Sequence, residues 1–314
     1  MSHYKSGVSI VTPFLNESEG IIKYCKTVEE FATEVEFPLE VVFVNDGSSD
    51  DTAEKIKNYD FQNISSVKLI ELSKNFGSHG ATRAGINNAS YDICTWLSCD
   101  LQEPLELITM SYDKIASGEC DAVYVDKKSV GVSKINRAFS KAYSKLMQKY
   151  AVKNYSSGGT ATIVFNKKIK DFVNDNVESN SSLMLQIIDA GFKYDIISLD
   201  YGERENGTSK WTLSKKIKLF IDSFVSFSFM PIRLVSFMGI LIFFIGFAIG
   251  VLTIINKIHN PDVPAGYSTI LSMIALGFGI TNISLGIIAE YLWRTYDSAR
   301  KRPVYIIAEK YTIK

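Results

Sequence analysis

The chain has 314 residues, enough for one large domain and an appendage. Its 34 basic residues are matched by 34 acidic ones, so no overall positive field marks it as a nucleic-acid binder. Hydrophobic residues make up 46%, an ordinary share on average, but they crowd into the last third. Cys25, Cys94, Cys99 and Cys120 include no Cys-x-x-Cys pair and the histidines are far apart. That spacing argues against a zinc site or disulfide framework and predicts reduced thiols. The first 20 residues carry polar and charged positions throughout, which predicts no cleaved signal peptide.

In chain order, Val8 to Thr12 is a short β-branched run that predicts a strand. Ile21, Ile22, Cys25, Val28 and Phe31 then recur at helical spacing within a helix expected from about Ser18 to Glu34. Glu40 to Asn45 reads as a second strand ending in the turn Asp46 to Ser49. A helix near Thr52 to Tyr59, a strand at Val67 to Leu72, a helix around Gly80 to Asn88 and a strand at Asp92 to Leu97 follow. Strand–helix alternation at this spacing predicts an α/β fold with a mostly parallel sheet, whose ligands sit beyond the carboxyl ends of the strands. Pro13 to Glu17, Asp46, Asp100 and Gln102 all fall at such ends.

The last third differs in character. Leu234 to Ile255 is a run of 22 residues without a charge, and Thr269 to Ala289 is a second uncharged run. At about 1.5 Å per residue each can cross an apolar core of about 30 Å. Two transmembrane helices are therefore expected, at about 234–255 and 269–292 within 233–293. Lys215, Lys216, Lys218 and Arg233 flank them on one side, and Arg294, Arg300, Lys301 and Arg302 on the other, whereas the intervening loop carries only Lys257. The positive-inside rule then places both ends, including a tail at 294–314, in the cytoplasm together with the catalytic domain at 1–210. Residues 211–232 mix lysines with Leu213, Ile217, Phe220 and Phe224, which suggests an interfacial amphipathic segment in contact with membrane lipids; packing on the soluble domain is the alternative.

Three clusters carry chemistry. Asp100 and Gln102, two apart at a strand end, supply the hard oxygen donors that suit Mg2+ or Mn2+, though a plain turn has the same look. Asp46 opens a turn and is read either as a helix-entry residue or as an acceptor for a nucleobase. Arg204 and Lys210, six apart with Gly207 and Ser209 between them, form a phosphate clamp or a solvated charged loop.

Taken together, Val11–Glu17, Val44–Asp50, Leu72–Gly77, Asp100–Pro104, Arg204–Trp211 and Glu290–Asp297 resemble the family 2 glycosyltransferases of GT-A fold, in their polyprenyl-phosphate branch. That branch includes bactoprenol glucosyltransferases and dolichyl-phosphate mannose synthases. The resemblance implies a Rossmann-like α/β domain followed by interfacial and transmembrane helices in a bacterial inner or plasma membrane. It implies inverting transfer of a hexose from a nucleotide-sugar, UDP-glucose first, to undecaprenyl or another polyprenyl phosphate for cell-envelope glycan modification. A different sugar (galactose, N-acetylhexosamine, mannose), a different acceptor, and a nucleotide-sugar-binding scaffold with altered catalysis are the alternatives. Related enzymes assemble as homo-oligomers, so a homo-oligomer is expected. By the same resemblance Pro13, Leu15, Glu17, Asp46, Ser98, Cys99 and Asp100 line the nucleotide pocket, Asp100 and Gln102 hold the metal, and Lys127, Arg204, Ser209 and Lys210 bind donor and acceptor phosphates. Asp100, Lys127 and Arg204 are the candidate catalytic residues.

Two positions depart from the family pattern. Ser98 stands where an Asp-x-Asp motif has its first carboxylate, and Thr160 stands where related enzymes carry a proposed base. A threonine is no base near neutral pH, but a phosphate monoester with a second pKa of roughly 6 is already largely dianionic. Such an acceptor needs orientation and charge relief more than deprotonation.

Overall fold

The computed structural model describes residues 7–127, 160–178, 182–199, 266–300 and 302–314, with isolated helical positions elsewhere. By chain contacts the molecule divides into two units, Met1–Ser223 with Pro303–Lys314, and Phe224–Arg302.

The first unit is built on strands whose sequences demand burial on both faces. β1 (Val8–Phe14) and β2 (Leu39–Asn45) are near-continuous runs of branched and aromatic residues, almost all buried, as a central parallel sheet requires. β3 (Ser66–Leu72) and β4 (Ile93–Trp96) continue the sheet. Between them lie α1 (Ile21–Glu34), α2 (Thr52–Lys57) and α3 (Ser78–Asn88). α1 forms because Ile21, Tyr24, Cys25, Val28 and Phe31 recur every three or four residues and make one apolar face, all buried. α4 (Glu106–Ala116), β5 (Ala122–Lys127), β6 (Thr160–Phe165), α5 (Lys167–Asp175), α6 (Leu183–Asp189) and β7 (Tyr194–Leu199) complete the layer order.

These strands and a last one, β8 (Ile307–Thr312), form an eight-stranded sheet in the order β7-β5-β6-β4-β1-β2-β3-β8. β1 is parallel to both β2 and β4, and β2 to β3. β6 runs antiparallel to β4 and to β5, and β7 is parallel to β5, so β5 and β7 share the direction of the central strands. Only β6 and β8 are reversed among the described strands. The expected mixed α/β architecture with a mostly parallel sheet is therefore present. β8 corrects the reading of 294–314 as a plain tail. Its ends carry β-branched and aromatic residues, Ile307, Tyr311 and Thr312, around the charged pair Glu309 and Lys310, and it pairs with the open edge of β3.

The four cysteines are free and buried. Burial pushes the thiols of Cys25 and Cys94 up to about 12, which leaves them as small core hydrophobes rather than nucleophiles. Arg83 in α3, 2% exposed, donates to the Val173 carbonyl at 2.9 Å and to Gln186, and so ties α3 to α5 and α6. Its Nε also donates to His79 at 3.2 Å, and burial together with the Arg83 charge holds the His79 imidazole down at about 4. His79 is thereby a neutral acceptor.

In the second unit, α7 (Tyr267–Ala299) runs for 33 residues. Among the described residues no helix is both long and apolar enough to cross a membrane. The first expected span, 234–255, lies largely outside the described residues.

At the amino-end edge of the sheet a buried charge is paired with an opposite one. Glu40, 0% exposed, meets Lys68 Nζ at 2.8 Å and accepts from the Ser9 hydroxyl and the Ser90 amide. Lys68 also donates to the Asn88 carbonyl at 2.9 Å and the Ser90 hydroxyl at 2.6 Å. Burial alone would raise the Glu40 carboxyl, but Lys68, Ser9 and Ser90 outweigh it and hold it below its ordinary value. Its contribution is therefore full above the unfolded-state value of about 4.3 and is lost as pH falls through the lower folded-state value. Glu40→Ala leaves Lys68 without its counter-charge and should lower stability by about 3 kcal/mol at pH 7. Thermal unfolding from pH 7 down to pH 3 checks this, because the gap between the unaltered chain and the variant should narrow as pH falls.

Candidate active site

Parallel pairing brings the carboxyl ends of β1, β2 and β4 to one edge of the sheet. Phe14 is in register with Asn45, and Val11 with Trp96. The chain leaves each strand still tied to its neighbour: the Asp46 amide donates to the Phe14 carbonyl at 3.0 Å and the Leu97 amide to Val11 at 2.9 Å. Because β1 is flanked by β2 on one side and β4 on the other, crossovers depart to both sides of it. That reversal of strand order marks the usual ligand position of such sheets.

Two loops at this edge are knotted together by side-chain to backbone bonds. The Asn16 amide donates to the Ser48 hydroxyl at 3.0 Å, and the Ser49 amide returns a bond to Asn16 Oδ1 at 2.8 Å. Asn16 sits at φ +53°, a left-handed conformation that asparagine tolerates better than most residues. The Glu17 amide donates to Thr52 Oγ1 at 3.1 Å and the Ser18 amide to Asp50 at 3.2 Å. Within the second loop Asn45 Oδ1 accepts from the Ser48 amide at 2.8 Å. Pro13, Leu15 and Glu17 are partly buried along the rim so formed.

Asp46, 4% exposed, has a position that the turn alone did not announce. Its two oxygens accept the amides of Phe76 and Gly77 at 2.7 and 2.9 Å, so it braces the loop between β3 and α3. Burial raises its carboxyl above the ordinary range and the two amide bonds partly offset that. Gly47 permits the same approach: at φ +78° a Cβ would lie 2.8 Å from the Asn75 nitrogen. The run Leu72–Gly77, to which sequence reasoning assigned no role, is thus the partner of the Asp46 turn. A carboxylate oxygen accepts more than one bond, so these contacts leave Asp46 capacity for a further donor.

Beyond β4, Ser98, Asp100 and Gln102 are partly buried, while Cys99 is 6% exposed and its thiol lies in the core, 3.8 Å from the Pro13 carbonyl. Leu101 at φ +54° turns the chain between Asp100 and Gln102. No group of three or more His, Cys, Asp or Glu able to hold a metal occurs among the described residues. One carboxylate and one amide oxygen still suit Mg2+ or Mn2+, which commonly completes its shell with substrate phosphates and water.

Lys127 is the last residue of β5 and Thr160 the first of β6. Given the strand directions, both reach the same edge as Asp46 and Asp100. Arg204, Ser209 and Lys210 lie outside the described residues. A cavity of about 390 Å³ between α1 and the segment 101–106 includes Gln102 in its lining, with Glu30, Glu34, Glu103 and Glu106. Four carboxylates make it a poor place for an anionic diphosphate.

Residues 9–179 match the family described as "Glycosyl transferase family 2". A Bacillus subtilis protein assigned as a glycosyltransferase, CsbB, is 30% identical over 96% of this chain and 91% of its own length. The prophage bactoprenol glucosyl transferase homolog of Escherichia coli is 29% identical over 96% of this chain and 98% of its own length. A solved mannosyltransferase of Pyrobaculum calidifontis, in complex with GDP-Man and Mn2+, has a TM-score of 0.47 at 16% identity, covering 94% of this chain and 88% of that one.

Asp46→Ala leaves the Phe76 and Gly77 amides without their charged acceptor, and stability should fall by about 2 kcal/mol. Gly47→Ala should also destabilise, through a different route, by forcing the Asn75 backbone away. Chemical unfolding of the two variants beside the unaltered chain measures both.

Proposed function

The chain belongs to glycosyl transferase family 2, and on that premise we propose that it moves a hexose, with inversion, from a nucleotide-sugar to a polyprenyl phosphate at the cytoplasmic face of a membrane. The observation that carries this reading is the convergence at one sheet edge of the Asp46 turn, Asp100 with Gln102, and Lys127. Relatives named bactoprenol glucosyl transferase align with nearly the whole chain, its apolar last third included, which favours a polyprenyl acceptor and UDP-glucose as first donor.

In the proposed reaction an acceptor phosphate oxygen attacks the anomeric carbon from the face opposite the leaving group. The new C–O bond forms as the bond to the nucleoside diphosphate breaks. Pro13, Leu15, Glu17 and the Asp46 turn hold the nucleoside, and Lys127, Arg204, Ser209 and Lys210 hold phosphates, arginine by its planar fork and lysine as a point charge. Asp100 and Gln102 would hold Mg2+ or Mn2+, and a bound cation neutralises charge on a diphosphate leaving group. Ser98 and Thr160, which are neutral, are compatible with this chemistry because the acceptor arrives already ionised. They also favour a second reading, a scaffold that binds nucleotide-sugars without turning them over.

Membrane attachment through two spans is part of the proposal. α7 would extend about 50 Å at 1.5 Å per residue and contains the uncharged run Thr269 to Ala289. Ile274, Phe278, Ile283 and Leu292 on it are each more than 60% exposed, as lipid-facing side chains are in a chain without its bilayer. The chain leaves the α/β unit at Ser223 and returns to it at Pro303. A segment that starts and ends in one domain crosses a membrane an even number of times, which is compatible with two spans, and the basic flanks favour the cytoplasmic side for both ends. The lysines of 211–232 suit an interfacial position, and a homo-oligomer is proposed by likeness to related enzymes.

Membranes containing the chain, incubated with a panel of radiolabelled nucleotide-sugars and extracted for lipid, test the reading. One donor should yield a mild-acid-labile glycolipid, and Asp100→Ala should lower the yield by about 100-fold. Donor binding with no glycolipid from any nucleotide-sugar would favour the scaffold.

A further inference from the structure

The last residues of the chain have no part in the transfer chemistry above, yet they meet the site at its nucleoside end. β8 enters the sheet at the edge where the site lies, because Ile307, its first residue, pairs with Leu72, the last of β3. Just before it, the Ile306 carbonyl accepts the Ser73 amide at 2.9 Å. Ser73 begins the loop whose Phe76 and Gly77 amides go to Asp46. Where that loop enters α3, Val304 and Tyr305 cover Gly80 so closely that a Cβ there would lie 3.0 Å from the Val304 carbonyl oxygen. The Tyr305 hydroxyl then accepts from Asn87 Nδ2 at 3.0 Å, two turns further along the helix.

The loop 73–77 is therefore gripped from two directions: Asp46 holds its last residues from the β2 side, Ile306 holds its first, and Val304 and Tyr305 cover the helix turn that follows it. The remainder of β8 anchors this grip. Lys310 Nζ donates to Asn88 Oδ1 at 2.7 Å, Lys57 lies 4.2 Å from the centre of the Tyr311 ring, and Lys314 Nζ donates to the Gln62 carbonyl at 2.6 Å. A loop left free has conformational entropy to lose when a ligand orders it, and that loss weakens binding. A loop already held by a strand has little left to lose.

We propose that Val304, Tyr305 and Ile306 are positioning residues for the donor: they fix the β3–α3 loop, and with it Asp46, in the conformation that receives the nucleoside of the nucleotide-sugar. The assignment rests on the transferase reading above. It gives the carboxyl-terminal segment a role in donor affinity distinct from its role in completing the sheet.

The test uses the full chain in detergent or lipid nanodiscs and measures kcat and donor KM for the productive nucleotide-sugar, with thermal unfolding alongside. Tyr305→Ala should raise the donor KM about tenfold while kcat stays within about twofold. Tyr305→Phe, which keeps the ring and loses only the hydroxyl bond, should raise the donor KM by as much as loss of that bond from the Asn87 side and by less than Tyr305→Ala. Asn87→Leu, an exposed change on α3 that removes the same tie without altering the carboxyl-terminal segment, should raise the donor KM in the same direction. Lys310→Ala loosens β8 away from the loop and should leave the donor KM within about twofold even if the melting temperature falls. Unchanged donor KM in both Tyr305→Ala and Asn87→Leu overturns the proposal, as does an equal rise in Lys310→Ala, which would reveal general destabilisation. Absence of transfer by the unaltered chain with every donor counts against the transferase reading, whereas transfer with an unchanged KM in the variants counts against this inference alone.

Discussion

The parallel pairing of β1 with both β2 and β4 is the constraint from which the rest of the first unit follows. A strand hydrogen-bonded in parallel on two sides needs crossovers over both faces of the sheet, and right-handed crossovers put α1 and α3 on opposite sides. The loops that leave the carboxyl ends of these strands then emerge at one edge, on either side of β1. Residues far apart in the chain, Glu17, Asp46, Asp100 and Lys127, come to that edge through strand direction alone. The burial of β1 and β2 on both faces supplies the driving force, since nearly every residue of either strand is withdrawn from water.

Strand direction brings the loops together, but polar bonds give them shape. Asn16 and Asp50 each accept a backbone amide of the neighbouring loop, Asn45 one within its own, and Asp46 two from a third loop. Each such bond satisfies an amide that regular structure does not reach, so the loops are held without a core of their own. This economy suits the chemistry proposed for the site. A phosphate acceptor is ionised before it arrives, and a preorganised edge that orients two anionic groups does more for it than an added base. Ser98 and Thr160 are consistent with that division of labour.

The α/β unit is discontinuous in the chain, which a boundary drawn from hydropathy misses. The apolar segment 224–302 lies in the chain between β7 and β8, so the α/β unit gains its eighth strand only after that segment. β8 covers the edge of β3 that would otherwise stand open, and its charged residues Glu309 and Lys310 keep its own outer edge from pairing further.

Local pattern was enough to place the first four strands and three helices to within a few residues, because period-two and period-3.6 burial are written directly in the side chains. The ordered motifs from Val11 to Asp297 were enough to identify the family. What they could not supply was the use to which each residue is put. Asp46 opens a turn in the sequence, but its service to Phe76 and Gly77 depends on β3 lying beside β2, a relation between residues 30 apart. The strand Ile307–Thr312 has the branched and aromatic residues of a strand, yet its basic and acidic positions and its place after an apolar segment read equally well as a tail. The sequence by itself determined the elements up to β4, the class of chemistry and the apolar last third, all of which depend on neighbours along the chain. Only the tertiary structure decided which loops brace one another and where the chain ends, because those outcomes are set by strand order, and strand order is a long-range choice with no local residue to record it.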